Sequence, residues 1–461
     1  MIKSAARQTA DGLVDKPGPT RAFLEKRFDL RARGTTWRTE VLAGATTFLT
    51  MAYIVFVNPA ILGEAGMPVA AVAVATCLSA AIGSILMGLV ANYPLALAPG
   101  MGLNAYFTYT VVKGMGVPWQ TALGCVFLSG CVFLVLTAAG IRQLIVNAIP
   151  RELFAAVAAG VGLFIAFVGL RDAGIIVPSS GTTVAMGNLR APQTALALLG
   201  LLLIAGLQAW GVRTAMLWGI MATTVAGIAL GIVHWAPAHY RFADMTATAF
   251  HLDIRAALHL KGSFGAGLLE IIFVFLFVDL FDNVGTLVAV TKKTGLVRQT
   301  GEIPRLNQIL FADAAATILG SLAGTSTVVT YIESAAGVAI GGRTGIASIV
   351  TGLLFLAALF VAPLVAMIPA AATSPALILV GSLMISAVSE IEWADPMVAV
   401  PAFLTMITIP LTFSIANGLA FGITSFALLR LLRGQAMARD WMLYLLAALF
   451  LLRFLYMAKS Y

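Results

Sequence analysis

Asn92-Tyr-Pro-Leu-Ala-Leu-Ala-Pro-Gly-Met-Gly-Leu-Asn104-Ala-Tyr-Phe107 and Gly320-Ser-Leu-Ala-Gly-Thr-Ser-Thr-Val-Val-Thr-Tyr-Ile-Glu333-Ser-Ala-Ala-Gly337 decide how this chain folds. Both lie in apolar surroundings, yet Pro94, Pro99, Gly100 and Gly102 forbid a continuous helix through the first half of the earlier stretch. The backbone there is predicted to be extended, turning helical only from about Met101. The later stretch repeats the design with small and β-branched residues ahead of a helix expected to start near Thr330. Backbone left unpaired at membrane depth survives only where it lines a cavity, and broken helices in matching positions of two halves point to a transport site.

The remaining chain reads as membrane-embedded. Of 461 residues 60% are hydrophobic and 10% charged, with a mean hydropathy of +0.97, whereas soluble chains carry about 25% charged residues. Apolar stretches fall at about 40–62, 69–91, 95–112, 119–140, 150–170, 192–210, 214–234, 265–290, 307–323, 325–341, 344–367, 375–389, 396–413 and 415–432. The expected fold is therefore an all-α polytopic membrane protein of fourteen spans, with the third and tenth half extended and half helical. Residues 1–38 form a cytoplasmic amino-terminal segment and 39–234 the first seven-span repeat. Residues 235–264 are read as an extracellular loop, 265–433 as the second repeat, and 434–461 as a carboxyl-terminal interfacial helix, because Arg453 interrupts the run from Trp441 to Tyr456.

Charge supports this topology. With the amino terminus inside, 22 of the 28 Lys and Arg residues fall on the inner side, including nine between Lys3 and Arg38, and the other six fall outside. Both termini are expected in the cytoplasm and the protein in the cell membrane. The +8 net charge then reports topology and gives no reason to expect a nucleic-acid partner. Too little chain remains for a nucleotide-binding, kinase or DNA-binding module. Cys77, Cys125 and Cys131 sit in apolar runs and read as core residues. The four histidines, His234, His239, His251 and His259, lie in or beside the long loop and read as ordinary polar residues, so no metal and no cofactor is expected.

Ionisable side chains deep in spans are costly and functional by default. Asp279 and Asp282 lie at i and i+3 on one face of the eighth span, Glu333 opens the tenth half-helix, and Asp313 is in the ninth span. Glu270 falls near the mouth of the eighth span, facing water or headgroups. Asp313 is equally open to a structural role, accepting bonds from the freed backbone of a broken span, and Asp279 admits the same reading. From Asn104 to Glu333 the offset is 229 residues, which sets Tyr53 opposite Asp282 and Thr50 opposite Asp279 in an inverted repeat. No Lys or Arg in their spans neutralises Asp282 or Glu333, so they await a proton or a donor-rich ligand. A planar heterocycle with several N–H groups would stack on Tyr53, Tyr106, Phe107 or Tyr331 and donate to Glu333 and Asp282.

Four segments carry a family resemblance: Thr46–Pro59, Ala98–Phe107, Phe277–Asp282 with Gly285-Thr286, and Gly324–Thr327 running to Tyr331–Gly337. Over nearly its full length the chain resembles the nucleobase-ascorbate (nucleobase-cation symporter 2) superfamily, in its AzgA-like adenine/guanine/hypoxanthine permease branch. The resemblance implies proton-coupled purine uptake, with a core domain (spans 1–4 and 8–11) moving elevator-fashion against a gate domain (5–7 and 12–14). It carries purine binding onto Asn104, an aspartate of the Asp279/Asp282 pair, and Glu333. Asp282 is preferred because it stands three residues before Gly285. In the tenth span Gly337 follows the acid by four residues rather than three, which leaves the helix phase there open. Expected substrate-binding residues are thus Glu333, Asp282, Asn104, Tyr53, Tyr331, Gly102 and Thr327, with proton coupling through Asp282, Asp279 or Glu333. Expected partners are a purine nucleobase, a proton and the lipid bilayer.

An anion carrier of the same fold, resembling sulfate transporters, is the competing transport reading; it would want a cation or an uncharged helix terminus where Glu333 stands. An intramembrane enzyme would need a catalytic set, and the sequence holds no His-Glu-x-x-His, no Gly-x-Gly-Asp and no histidine in a span to partner a serine. Gly227 and Gly231 form a small-xxx-small pair of the kind that usually serves packing within one chain, so a homodimer stays open.

Overall fold

A computed structural model describes residues 25, 27–140, 150–233, 246–258, 265–296, 303–365, 367–435 and 440–457. The first crossing is broken: α1 (Trp37–Met51) and α2 (Ile54–Gly63) meet at Ala52 and Tyr53, where i→i+3 bonds from Val55 to Ala52 and Phe56 to Tyr53 replace the α-helical pattern. Pro59 inside α2 removes one further bond. After α3 (Val69–Val90) comes the third crossing. It is a strand, β1 (Leu97–Pro99), then α4 (Met101–Ala105), which continues as a π-helical segment, Tyr106–Gly114. The helix starts at Met101, as the proline and glycine positions demand.

Next come α5 (Trp119–Ala138), α6 (Arg151–Asp172), the strands β2 (Ile176–Ser179) and β3 (Thr183–Met186), α7 (Pro192–Ala209), α8 (Ala215–Ala229) and the short α9 (Ile254–Leu258). The second half brings α10 (Gly265–Thr294), α11 (Leu306–Ala323), β4 (Val328–Thr330), α12 (Ser334–Ile340), α13 (Gly345–Ala358), α14 (Ala362–Val365), α15 (Ala370–Met384), α16 (Pro396–Thr412), α17 (Ile415–Leu432) and α18 (Trp441–Met457). Eight helices among the described residues are long and apolar enough to cross a bilayer, and shorter apolar helices cover 215–229, 345–361 and 396–412. The protein is a multi-pass membrane protein.

Two features depart from the sequence reading. A hairpin of β2 and β3 projects between α6 and α7, so the fold is not purely helical; its strands are too short and too exposed to lie in lipid. The tenth crossing becomes helical at Ser334, not Thr330, because the β-branched run Val328–Thr330 is used in a strand. Glu333 is the residue before the helix.

Packing sorts the helices into two sets. The helix α3 lies against α13 and α11, α11 against α5, and α1 against α12 and α13. Gly88 and Gly345 stand backbone to backbone at the α3–α13 crossing, where a β-carbon at either would overlap the other. In the second set α6 packs on α15 and α16, α16 on α17, and α7 on α8 and α15. Gly227 packs on Leu196 of the same chain and Gly231 takes a left-handed turn, so the small-residue pair serves an internal contact.

At the amino-terminal end, Phe28 and Leu30 are buried with Ile346, and the Arg33 guanidinium donates to the carbonyls of Asn92 (2.7 Å) and Arg343 (2.8 Å). The long loop is tied down at the opposite end by Phe250 N–H to Leu322 O (2.8 Å) and Asp253 N–H to Gln120 O (2.9 Å). His251 there is exposed, while His234, His239 and His259 lie outside the described residues.

Candidate functional site

The two broken crossings meet. β1 and β4 pair antiparallel with Leu97 opposite Thr330, Ala98 opposite Val329 and Pro99 opposite Val328. Tyr331 N–H to Ala96 O and Gly100 N–H to Thr327 O, each 2.9 Å, extend the ladder beyond the strands. Hydroxyls occupy the outer edges. Ser84 of α3 accepts from Leu97 N–H (2.9 Å) and donates to Leu97 O (3.1 Å); Thr317 of α11 accepts from Val328 N–H (3.2 Å) and donates to Val328 O (2.9 Å). With no water at membrane depth, these bonds are what permits extended backbone there. Ser84 and Thr317 stood out in no sequence pattern, since a hydroxyl in a helix reads as neutral filler.

These pairings revise the internal offset. From Leu97 to Val328 is 231 residues, and from Met101 to Ser334, or from Ser84 to Thr317, is 233 rather than 229. Asn104 and Glu333 therefore do not occupy equivalent positions, and their surroundings differ accordingly.

Glu333 is half-buried at the end of β4, where its Oε1 accepts from the Tyr53 hydroxyl at 2.7 Å. Tyr53 reaches it from the break between α1 and α2. The half-buried Asp282 of α10 lies close enough for its charge and that of Glu333 to act on one another, and Tyr331 feels both. Tyr331 is itself fixed, its hydroxyl donating to Pro99 O at 2.5 Å. One tyrosine hydroxyl and two carboxylates thus converge where both broken crossings meet the eighth-span helix. Tyr106 packs edge-on against Phe275, ring centroids 5.2 Å apart.

The other residues singled out from the sequence lie around this cluster in different roles. The fully buried Asn104 donates to Asn58 Oδ1 and accepts from the Ser326 hydroxyl. Asn58 in turn donates to Thr76 (2.7 Å) and Thr325 (3.0 Å), so a chain of polar groups ties α2, α3 and α4 to the turn before β4. Thr327 is buried in that turn. Asp279 and Asp313 both accept from Asn283 Nδ2 at 2.7 Å, and Asn283 Oδ1 accepts from Thr330 N–H at 3.0 Å. Asp313 thus supports the broken span, acting through Asn283. Gly102 faces α6: a β-carbon there would sit 2.5 Å from Val161 Cγ1. Gly337 packs α12 on Ala43 and Thr47 of α1, which fixes the helix phase.

The family model Xan_ur_permease, described as the Permease family, matches residues 38–421. This chain belongs to that permease family. A permease of Methanocaldococcus jannaschii is 50% identical over 437 residues, covering 95% of this chain and 99% of its own. The adenine permease AdeP of Escherichia coli is 45% identical, covering 94% and 96%, and the guanine/hypoxanthine permease PbuG of Bacillus subtilis is 43% identical, covering 93% and 99%. Such relatives put the chain in the adenine/guanine/hypoxanthine branch of the nucleobase-ascorbate transporters and make it a transporter rather than an enzyme. Among solved structures, the transmembrane domain of the cyanobacterial bicarbonate transporter BicA superposes with a TM-score of 0.61, at 15% identity, over 84% of this permease and 97% of that domain. At that identity the likeness is one of fold.

Proposed function

We propose that this permease takes up purine nucleobases together with protons across the cell membrane, by an elevator motion of one helix set against the other. The observation that carries the reading is the acceptor cluster of Glu333 and Asp282 beside Tyr53 and Tyr331. A purine offers ring N–H and exocyclic donors along one edge, matching two carboxylates, and flat faces for the aromatic rings. The relatives named for adenine, guanine and hypoxanthine support the same substrate class. Asn104, Gly102 and Thr327 then act from behind, shaping the crossing of the two broken spans. Glu333 and Asp282 are the groups that take up the proton, with Asp279 more distant in the support network.

Fourteen spans in a seven-plus-seven inverted repeat, with both termini cytoplasmic, follow from counting the two broken crossings and the shorter apolar helices with the longer ones. The set of α1 to α5 and α10 to α13 is the moving core, and the set of α6 to α8 and α15 to α17 is the gate. Core and gate meet at an ionic cluster on the end opposite the amino-terminal segment. Glu64, following α2, pairs with Lys113 and with Arg171 at 3.5 Å; Arg171 also pairs with Asp172 at 2.8 Å, and the Tyr109 hydroxyl donates to Glu64 at 3.1 Å. An elevator stroke has to open this cluster.

Uptake of radiolabelled adenine, guanine, hypoxanthine, uracil and sulfate into membrane vesicles tests the proposal. Purine accumulation is expected, abolished by an uncoupler and unaffected when choline replaces sodium. Accumulation that follows a sodium gradient with the proton gradient collapsed would overturn the coupling, and sulfate uptake would favour the anion reading that the shared fold keeps in view.

A further inference from the structure

Asn283 adjoins Asp282 on α10, and all three hydrogen-bonding positions of its buried amide that the structure describes are spoken for. Its nitrogen bridges Asp279 on its own helix and Asp313 on α11, at 2.7 Å each; its oxygen takes the Thr330 N–H at 3.0 Å. The amide has one workable orientation. Flipped, its oxygen would face two carboxylates and its nitrogen would face an N–H, so every contact would turn repulsive. Three elements are pinned through a single side chain.

What is pinned matters. Asn283 is one residue from Asp282, and Thr330 is three residues from Glu333 and one from Tyr331. The Asn283–Thr330 bond therefore sets how far the Asp282 carboxylate on α10 stands from the Glu333 carboxylate at the end of β4. The other edge of β4 is held independently by Thr317 of α11, and Asp313 lies on that same helix, four residues earlier. The strand is braced from α11 on one side and from α10 on the other. Nothing else described ties the α10 side of the brace to the Thr330 backbone.

We propose that Asn283 is a positioning and specificity-determining residue of the purine site, fixing the spacing of the Asp282 and Glu333 acceptors through its bond to the Thr330 amide. Purines differ in where their N–H groups stand along the ring edge, so acceptor spacing decides which purine is held by both carboxylates at once. A side chain that keeps the bonding groups of Asn283 but is longer by one methylene moves β4 relative to α10. It should then change the order of preference among purines, not only the overall affinity.

This inference rests on Asp282 and Glu333 being the purine site, so the experiment carries Glu333→Gln as its reference. Purified Asn283→Gln, Asn283→Ala and Glu333→Gln proteins are compared with wild type by equilibrium binding of hypoxanthine and adenine, with Kd referred to the folded fraction from size-exclusion profiles and thermal melts. Asn283→Gln, which retains both kinds of bonding group, is expected to weaken the better-bound purine at least tenfold and to change the hypoxanthine-to-adenine Kd ratio at least fivefold. Asn283→Ala, should it fold, is expected to shift the same ratio. An unchanged ratio in Asn283→Gln, with Glu333→Gln showing lost binding, would overturn the positioning role and leave the site standing. Wild-type affinity in Glu333→Gln would overturn the site and this inference with it.

Discussion

Gly102→Ala tests how the two helix sets touch. The β-carbon of alanine would lie 2.5 Å from Val161 Cγ1, whereas carbon atoms rest at about 3.5–4.0 Å, so roughly 1 Å of overlap must be relieved. Val161 cannot relieve it alone. It is 4% exposed on α6, and a valine in a helix has one strongly preferred rotamer. Either α4 recedes from α6 or the arrangement described here is disfavoured, at a cost of about 1–3 kcal/mol, typical of overpacking. Spent on one side of a two-state motion, that is about a 5- to 150-fold change in the balance of states. Initial rates of purine uptake in vesicles should therefore fall by about tenfold or more in Gly102→Ala at equal protein in the membrane. Val161→Ala removes the offending methyl groups, so Gly102→Ala/Val161→Ala should recover to within about threefold of Val161→Ala, a double-mutant coupling that marks direct contact. A double variant no better than Gly102→Ala would refute the reasoning and return Gly102 to the substrate, as a residue whose missing side chain lets the ligand approach.

Three further outcomes are expected. Glu333→Gln keeps the side-chain shape but replaces a charged acceptor by a neutral one, a loss of about 1.5 kcal/mol or more per bond, so hypoxanthine should bind at least about tenfold more weakly at normal expression. Asp282→Asn should weaken equilibrium purine binding more than Asp279→Asn, whereas Asp279→Asn, which sets an amide against the Asn283 amide, should lower thermal stability by about 1–3 kcal/mol; the reverse order of affinities would move the site one helical turn. Glu64→Gln removes the carboxylate shared by Lys113 and Arg171, but these groups are about one-third exposed, so each pair contributes only about 0.2–1 kcal/mol and uptake should change by less than about tenfold, with the effect shrinking as salt is raised.

How much of this was legible without the structure varies residue by residue. Pro94, Pro99 and Gly100 announce an extended segment because a missing N–H and a missing β-carbon act on their own backbone, whatever surrounds them. Asp282 and Glu333 announce themselves because a carboxylate in a lipid-depth segment is costly wherever it points. Membership in a nucleobase permease branch was equally readable, since Ala98–Phe107 and Tyr331–Gly337 are unbroken local strings.

Other features depended on which segments meet, and at what rotation. Asn104 and Glu333 look like counterparts at 229 residues, yet the strand register sets the true offset at 231 to 233. The difference is a few residues at the break, invisible to hydropathy. Ser84, Thr317, Asn58 and Ser326 are small polar residues whose importance arises only once β1 and β4 lie between α3 and α11. Asp279 and Asp282 are alike in sequence, one turn apart on one helix; the rotation of α10 sends the first to Asn283 and Asp313 and the second to Glu333. Sequence alone determined the membrane setting, the two breaks and the buried charges, because each follows from the chemistry of single residues in lipid. Which partner each buried polar group takes was decided by tertiary structure, because a hydrogen bond needs its atoms within about 3 Å, and only packing brings distant segments so close.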